Sequence, residues 1–439
     1  MTTLSFFKNS KACQVTLHAS SLQVVYQKKN NKLVTVDISY VYLLAVEGRY
    51  NNGAHSVNVH YVKPVVNRRL RVETLTVHSD LDQCNMLVTA LQGELAATDK
   101  PKKLAVIINP NSGKKQAEKV FHNKVAPLFK LCGIETHVVV TKAPKKARDV
   151  LQTLDLSEIE GLVTVGGDGL YCEVLNGVIL RTQKDNGVNV NDPDSKVVRS
   201  RLPIGIIPAG TGDMVVQYLH GTRDVMTAAL KIVLGATMPT NAVSVHQGGE
   251  LSAYAGLVLG FGLQGDMMAD CERFRWMGHS RYNVIPISTV LSRRSLDVEV
   301  EYEDETTMET KKTSDAMFSV DTYVVSKEQR GDKLQHVFGT DTLKVYMTSK
   351  CSLGKHVQQL TKLKENEASA FDFDFVQEKR VQGYTVRLPN EPVVMEGGKR
   401  VLRGKYNINC DGEVLKITHP EYHVRLHHHA LRVFGEAIV

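Results

Sequence analysis

The chain has 439 residues, 42% of them hydrophobic, and a formal net charge of +7, which excludes global disorder and predicts two or three domains with real cores. No apolar stretch approaches the roughly 18–20 residues needed to span a bilayer, and the first ten residues lack an apolar run behind basic ones, so neither a spanning helix nor a secretory signal is expected. Seven scattered cysteines (Cys13, Cys84, Cys132, Cys172, Cys271, Cys351, Cys410) form no Cys-x-x-Cys pair, predicting reduced core thiols in a cytosolic setting and no structural zinc.

Residues 1–97 read as short strands rich in Val, Tyr, Leu and Thr, among them Val15–Leu17, Leu22–Tyr26, Leu33–Ile38 and Val57–Tyr61. A helix over Asp80–Leu95 follows, because Leu81, Cys84, Leu87, Val88, Leu91 and Leu95 recur at helical spacing. Together they predict a small antiparallel barrel or sandwich capped by one helix. Ala97–Lys103, with Asp99, Pro101 and three lysines, reads as a linker.

From Leu104 the pattern alternates: strand Leu104–Asn109, helix Gln116–Leu131, strand Thr136–Val140, helix Lys145–Leu154, strand Gly161–Val165 and a helix over Leu170–Leu180. Such alternation predicts a parallel sheet covered by helices. Residues 100–150 hold twelve Lys or Arg against three Asp or Glu, an excess that suits a nucleotide, another polyanion or an anionic membrane surface, or else a solvated helix face.

The tract Val165-Gly166-Gly167-Asp168-Gly169-Leu170 sits at the end of the third strand. Glycines let backbone N–H groups approach an anion, and a carboxylate among them can orient or deprotonate a hydroxyl. The following helix rules out the hairpin that Asp-Gly otherwise suggests. It carries Glu173 and Asn176 three apart, so both side chains can share a face beside the glycine loop. After a polar insertion, Lys184–Arg201, strand Ile204–Ile207 ends in Pro208-Ala209-Gly210-Thr211-Gly212-Asp213. With Asn109–Gly113, three such loops would gather at the carboxyl edge of one sheet. Neither the Walker A pattern nor the dinucleotide Gly-x-Gly-x-x-Gly fingerprint is present.

Beyond residue 243 the chain turns β-rich, with candidate strands at Leu257–Leu259, Leu296–Tyr302, Met317–Val325, Leu343–Met347, Phe371–Val376 and Tyr384–Leu388. Asp266–Tyr282 surrounds the sole tryptophan, Trp276, which suits a core or a membrane interface. Arg275 and Arg281 there could fork onto phosphate oxygens or join an ion-pair network. Cys410-Asp411-Gly412-Glu413 repeats the glycine-carboxylate theme. His427, His428 and His429 lie in a strand-like segment whose alternation keeps them from converging on a metal.

Taken in order, Asn109-Pro110-x-Ser112-Gly113, Gly166-Gly167-Asp168-Gly169-x-x-x-Glu173-Val174-x-Asn176-Gly177, the 208–213 turn and Asp411-Gly412-Glu413 resemble the motifs of the diacylglycerol-kinase-type lipid kinases over residues 102–439. Within that family the ceramide kinases are most similar, on Gly221–Val225, Leu230–Gly235, Ser244–His246, Arg275–Tyr282 and Asn409–Leu415. Residues 1–97 are similar to their pleckstrin-homology domain, with Leu87 where its last helix carries tryptophan. The region after Met317 is shorter than in ceramide kinases and lacks their cysteine cluster.

The resemblance implies an α/β plus β fold: a pleckstrin-homology-like β-barrel that recruits the protein to membranes (1–97), a Rossmann-like parallel-sheet lobe that binds nucleotide (102–243), and a β-rich lipid-binding lobe (244–439). It implies ATP-dependent phosphorylation of the primary hydroxyl of ceramide, with a sphingosine kinase or a catalytically silent lipid-binding homologue as alternatives. Asp168 would be the general base or orienting carboxylate, and Gly166, Gly167 and Gly169 would shape the place of the lipid. ATP would meet Asn109, Pro110, Asn111, Thr141, Lys142, Ala143, Pro144, Lys145, Glu173, Gly210, Thr211, Gly212, Arg275, Arg281, Asp411, Gly412 and Glu413. Mg2+ is expected, with Asp411 and Glu413 as candidate ligands.

Sphingosine kinases place a carboxylate for the lipid amine two residues after the aspartate that matches Asp266, and Met268 stands there. An apolar residue suits the neutral amide of ceramide, since an unpaired buried charge is costly, while Asp266 and Asp270 could still serve an amine. The expected partner is a membrane lipid and not nucleic acid, with peripheral membrane association. Lys28, Lys29, Lys32, Arg68, Arg69 and Arg71 are available for acidic headgroups, or are ordinary solvated loops.

Overall fold

The computed structural model describes the chain apart from residues 1, 9–10, 29–31, 52, 144–145, 275–288, 290, 293, 305–308 and 437–439. Its first unit is an antiparallel sheet of β1 (Thr2–Lys8), β2 (Lys11–Leu17), β3 (Ser21–Gln27), β4 (Leu33–Ser39), β5 (Leu43–Asn51), β6 (Ala54–Pro64) and β7 (Leu70–Ser79), in the order β4-β3-β2-β1-β7-β6-β5. Alternation decides what is inside: Leu4 and Phe6, Cys13 and Val15, Leu22 and Val24, and Val57 and Val59 all point inward. Helix α1 (Leu81–Ala96) covers them with Cys84, Leu87 and Leu91, and starts where the Asp80 carboxylate accepts the Gln83 amide at 2.8 Å. The β1, β5 and β7 strands were not among those expected.

The stretch expected to be a linker is packed instead. Pro101 is buried, the Lys100 ammonium donates to the Leu43 carbonyl, and the 99–101 backbone lies against Gly235. Leu44, Val62 and Leu70 of the first unit join the core of the second, and the Leu70 amide donates to Thr227 Oγ1 at 3.0 Å.

The second unit holds the parallel strands β8 (Lys103–Ile108), β9 (Glu135–Val140), β10 (Gly161–Gly166) and β11 (Ile204–Pro208), in the order β9-β8-β10-β11. Strands β8, β10 and β11 are near-continuous apolar runs because helices cover both faces. The helix expected over Gln116–Leu131 is α2 (Ala117–Val120) and α3 (Ala126–Leu131) joined by a π-type turn, Phe121–Val125. Helix α4 spans Lys146–Thr153, α5 Asp168–Asp185, α6 Met214–His220 and α7 Val225–Leu234. Helix α5 therefore begins at Asp168 itself, two residues before the expected start.

The third unit is antiparallel: β12 (Thr237–Gln247), β13 (Glu250–Ala255), β14 (Val258–Gly262), β15 (Leu296–Glu303), β16 (Thr310–Tyr323), β17 (Ser326–Arg330), β18 (Lys333–Val337), β19 (Leu343–Ser349), β20 (Val376–Val381), β21 (Gly383–Arg387), β22 (Val393–Glu396), β23 (Lys399–Leu402), β24 (Tyr406–Cys410), β25 (Glu413–Ile417) and β26 (Glu421–Phe434). Helix α8 (Leu263–Arg273) packs on β24 and β14. The strand expected over Phe371–Val376 is absent: Ala368–Phe371 is a short 3-10 turn whose Phe371 ring stacks on Tyr346 at 3.8 Å, and the strand starts at Val376.

Two long strands make the second and third units continuous. β26 pairs with β12 along most of its length and meets β11 through a parallel bridge, Ile204 to Val433. A bulge opposite Thr240–Ala242 puts His429 at φ 52° and stacks it on His428 at 3.6 Å, so the expected alternation fails there. No shared ligand results, since His427 bonds Ser244, His428 pairs with Asp341 and His429 bonds the Gly339 carbonyl. All seven cysteines are free thiols, five of them buried.

Asp321, on β16, is buried with Ser319 Oγ donating to it at 2.8 Å, and burial pushes its carboxyl up to about 7. Folding thus takes up a proton between the unfolded value near 4 and about 7, so its contribution is fully present at pH 4 and declines as pH rises through that window. Replacing Asp321 by Asn is expected to leave stability at pH 4 within about 0.5 kcal/mol and to raise it at pH 8 by roughly 1–3 kcal/mol. Urea unfolding at the two pH values checks this.

Candidate active site

The sheet order brings four strand-end loops to one edge, because β9, β8, β10 and β11 are parallel neighbours. Asn109–Gly113 follows β8, Thr141–Ala143 follows β9, Gly166–Gly169 follows β10 and Ala209–Asp213 follows β11. Backbone bonds lock three of them: the Asn109 amide donates to Val165 O at 3.2 Å and the Ala209 amide to Gly166 O at 2.9 Å. Asn109 Oδ1 also accepts the Asn111 amide at 3.0 Å, folding its loop back on itself.

The loops touch backbone to backbone. A Cβ on Gly210 would lie 2.4 Å from Gly167 Cα, and one on Gly113, whose φ is +50°, would lie 2.7 Å from Ala209 O. No side chain fits at either place. The expected clustering of Asn109, Pro110, Asn111, Gly166, Gly167, Asp168, Gly169, Gly210, Thr211 and Gly212 is therefore present.

Asp168 stands at the centre of this rim. Its Oδ2 accepts the Met214 amide and its Oδ1 the Val215 amide, both at 3.0 Å, so it serves as the cap of α6 while remaining half-exposed. Asp213, which sequence reasoning did not single out, is buried in a left-handed turn (φ 50°) and accepts the Gly210 amide at 3.0 Å. Burial, with the Asp168 charge adding to it, pushes its carboxyl up to about 6. Its place as the last residue of the 208–213 motif was the available signal.

A second group gathers at the seam between the second and third units. Arg148, Glu173, Asn176, Tyr254, Asp411 and Glu413 line a cleft of about 120 Å³. Small-molecule sites typically hold roughly 300–1,000 Å³, so this cleft alone is too small to enclose a nucleotide. Glu173 Oε2 accepts the Ala147 amide at 3.2 Å, which ties α5 to the start of α4 beyond Thr141, Lys142 and Ala143. Lys142 is exposed and Thr141 is buried, its hydroxyl donating to Ile108 O at 3.3 Å.

Asp411 holds backbone at this seam. It is buried at φ 53°, and its two oxygens accept the amides of Gly256 (2.6 Å), Leu257 (2.9 Å) and Val258 (2.9 Å). Burial raises its carboxyl, and these amides and the Cys172 thiol work against that rise. A carboxylate so fully engaged has little left for a metal. Asn176 is likewise a pin: its amide group donates to Tyr254 O at 2.7 Å and accepts Tyr254 N at 2.9 Å. Pro144, Lys145, Trp276, Arg275 and Arg281 lie outside the described residues.

Among the described residues no three His, Cys, Asp or Glu side chains converge on a metal position. Magnesium, however, is commonly held by one or two carboxylates together with nucleotide phosphates, and the Asp168 and Asp213 carboxylates on the rim fit that arrangement.

Residues 103–245 match the family model of the diacylglycerol kinase catalytic domain. Over that stretch the chain is similar to this lipid kinase family. It is 39% identical to ceramide kinase of Mus musculus over 57% of this chain and 48% of that one, and 38% identical to ceramide kinase of Homo sapiens over 56% and 47%. Sphingosine kinase 1 of Arabidopsis thaliana is 31% identical over 46% and 39%. The aligned part thus spans about half or less of these relatives. A solved diacylglycerol kinase from Bacillus anthracis strain Sterne superposes with a TM-score of 0.51 at 14% identity, covering 78% of this chain and 100% of that one, which shows a shared fold.

Removing the Asp411 carboxylate leaves the Gly256, Leu257 and Val258 amides, the first of them buried, without their acceptor. Asp411→Ala is expected to lower stability by about 3 kcal/mol or more, and the exposed Glu413→Ala to change it by less than ~0.5 kcal/mol, as read by urea unfolding.

Proposed function

We propose that this protein is an ATP-dependent lipid kinase that phosphorylates the primary hydroxyl of ceramide, giving ceramide 1-phosphate. The observation that carries the reading is Asp168, half-exposed on a rim made of three glycine loops. Each of its oxygens spends one lone pair on an α6 amide, which leaves the others to accept the proton of a lipid hydroxyl. In-line transfer needs that nucleophile aligned and the phosphate oxygens neutralised. The Asn109–Asn111 and Gly210–Gly212 loops would hold the phosphates, with Lys142 and Glu173 beside them. A magnesium ion bound with the nucleotide would offset phosphate charge.

The neighbourhood of Asp266 favours a neutral lipid head. Its carboxylate accepts Arg294 Nη1 at 3.2 and 3.3 Å and Asn407 Nδ2 at 3.4 Å. Burial raises its carboxyl and Arg294 opposes the rise. With Asp266 engaged by a guanidinium and Met268 apolar, a cationic amine has no free counter-charge at these two positions, whereas an amide needs none. Sphingosine is the second reading, and Asp270, whose Oδ2 accepts the Thr289 hydroxyl at 3.0 Å, is the carboxylate that would have to serve it.

The division expected from sequence is proposed here with the same bounds: 1–97 as a pleckstrin-homology-like recruiting module, 102–243 for nucleotide and 244–439 for lipid. Seven antiparallel strands closed by a C-terminal helix support the first assignment. Arg69 and Arg71 are exposed beside the β6–β7 turn, while Arg68 lies against Gly221 of the second unit. None of the described helices is long and apolar enough to cross a membrane, so binding at the surface is the proposed mode.

Asp168→Asn is expected to lower phosphate transfer to ceramide by more than ~100-fold with the circular dichroism spectrum unchanged. Retained activity would remove Asp168 from the mechanism, and assays of ceramide, sphingosine and diacylglycerol side by side decide the substrate. Arg69→Glu combined with Arg71→Glu is expected to weaken sedimentation with phosphatidylserine-containing liposomes roughly tenfold; unchanged sedimentation would count against a headgroup site on that turn.

A further inference from the structure

Helix α6 begins at the Asp168 carboxylate, since both oxygens of that group accept amides of its first turn. Any tilt of α6 therefore turns the carboxylate with it. One helical turn on, Tyr218 lies flat on His336 of β18, with ring centroids 3.5 Å apart and planes 12° from parallel. The β17–β18 hairpin belongs to the third unit, so this stack crosses from the nucleotide side to the lipid side next to the rim. Both rings are half-buried at the seam, Tyr218 packing against the core of the second unit on its own side.

The surroundings keep the stack a contact between neutral rings. Burial, aided by the Lys327 charge, holds His336 down at about 4, and the Lys327 ammonium is itself engaged over the Tyr323 ring, 4.1 Å from its centroid. The Asp168 charge reaches Tyr218, whose hydroxyl is pushed up to about 12 mainly by burial. Carboxylate, helix and stack therefore lie within one electrostatic neighbourhood.

We infer that Tyr218 and His336 are positioning residues for Asp168: their stack seats α6 on the β17–β18 hairpin, so that the carboxylate is held in place for the lipid hydroxyl. The inference rests on the reading of Asp168 as the carboxylate that meets the hydroxyl. Neither ring touches the reacting atoms, and a flat aromatic of similar size can replace the imidazole without loss of the contact.

The test uses the full chain and two readouts, hydrogen exchange over residues 214–220 and steady-state kinetics with ceramide and ATP. His336→Ala should speed α6 exchange and lower kcat, each roughly five- to tenfold, with the KM for ATP within twofold. His336→Phe should restore both, and Tyr218→Leu combined with His336→Ala should lose less than the sum of the two single losses, because the shared contact is lost only once. Unchanged exchange in His336→Ala, equal impairment in His336→Phe, or additive losses would overturn the inference. If His336→Ala does not fold, Tyr218→Leu supplies the same comparison. An unsubstituted protein inactive on all three lipids would overturn the proposed function, and the exchange measurements would still decide whether the stack holds α6.

Discussion

The close approach of Gly167 and Gly210 is the constraint from which the rest of the site follows. Two parallel strands can deliver their end loops into backbone contact only where neither loop carries a side chain at the meeting point, and a Cβ on Gly210 would sit 2.4 Å from Gly167 Cα. That contact brings the 208–213 turn close enough to Asp168 for the carboxylate to cap α6. Carboxylate placement and helix direction are therefore consequences of one steric arrangement.

A second constraint joins the sides of the site. β12 and β26 run as a single antiparallel pair from the parallel strands into the β-rich unit, so the two halves share backbone hydrogen bonds as well as a surface. Across this seam, buried polar side chains act on backbone groups. Asp411 gathers three amides, and Asn176 completes both backbone groups of Tyr254. Such contacts are directional and costly to leave half made, which sets the register of the units at the place where a phosphate would have to pass between ligands.

Asp168 belongs to a glycine motif and also sets where a helix begins. A carboxylate that caps a helix is oriented by it, and the helix is in turn held by what touches its other face. The Tyr218–His336 stack on that helix links the orientation of the Asp168 carboxylate to the fit between the second and third units. The N-terminal unit reaches the same helix from the far end, where Arg68 lies against Gly221.

Much of this was legible from residues alone. The alternation of apolar runs identified β8, β10, β11 and their helices because a parallel sheet covered on both faces has to be apolar throughout, and the glycine-carboxylate tracts marked the rim because few other residue types tolerate those turns. Strand Phe371–Val376 was misread because the alternation of Phe and Asp over 371–375 has the period of a half-buried strand, whereas Phe371 closes a short turn packed on a tyrosine. The sequence by itself determined which loops could approach an anion and which carboxylate lay among them, since those depend on local backbone freedom. Only the tertiary structure decided that Asp411 holds a backbone segment, that Arg294 occupies Asp266, and that the supposed linker is part of an interface. Each of those rests on a partner at least 28 residues away, and local patterning carries no record of which distant group will meet a charge.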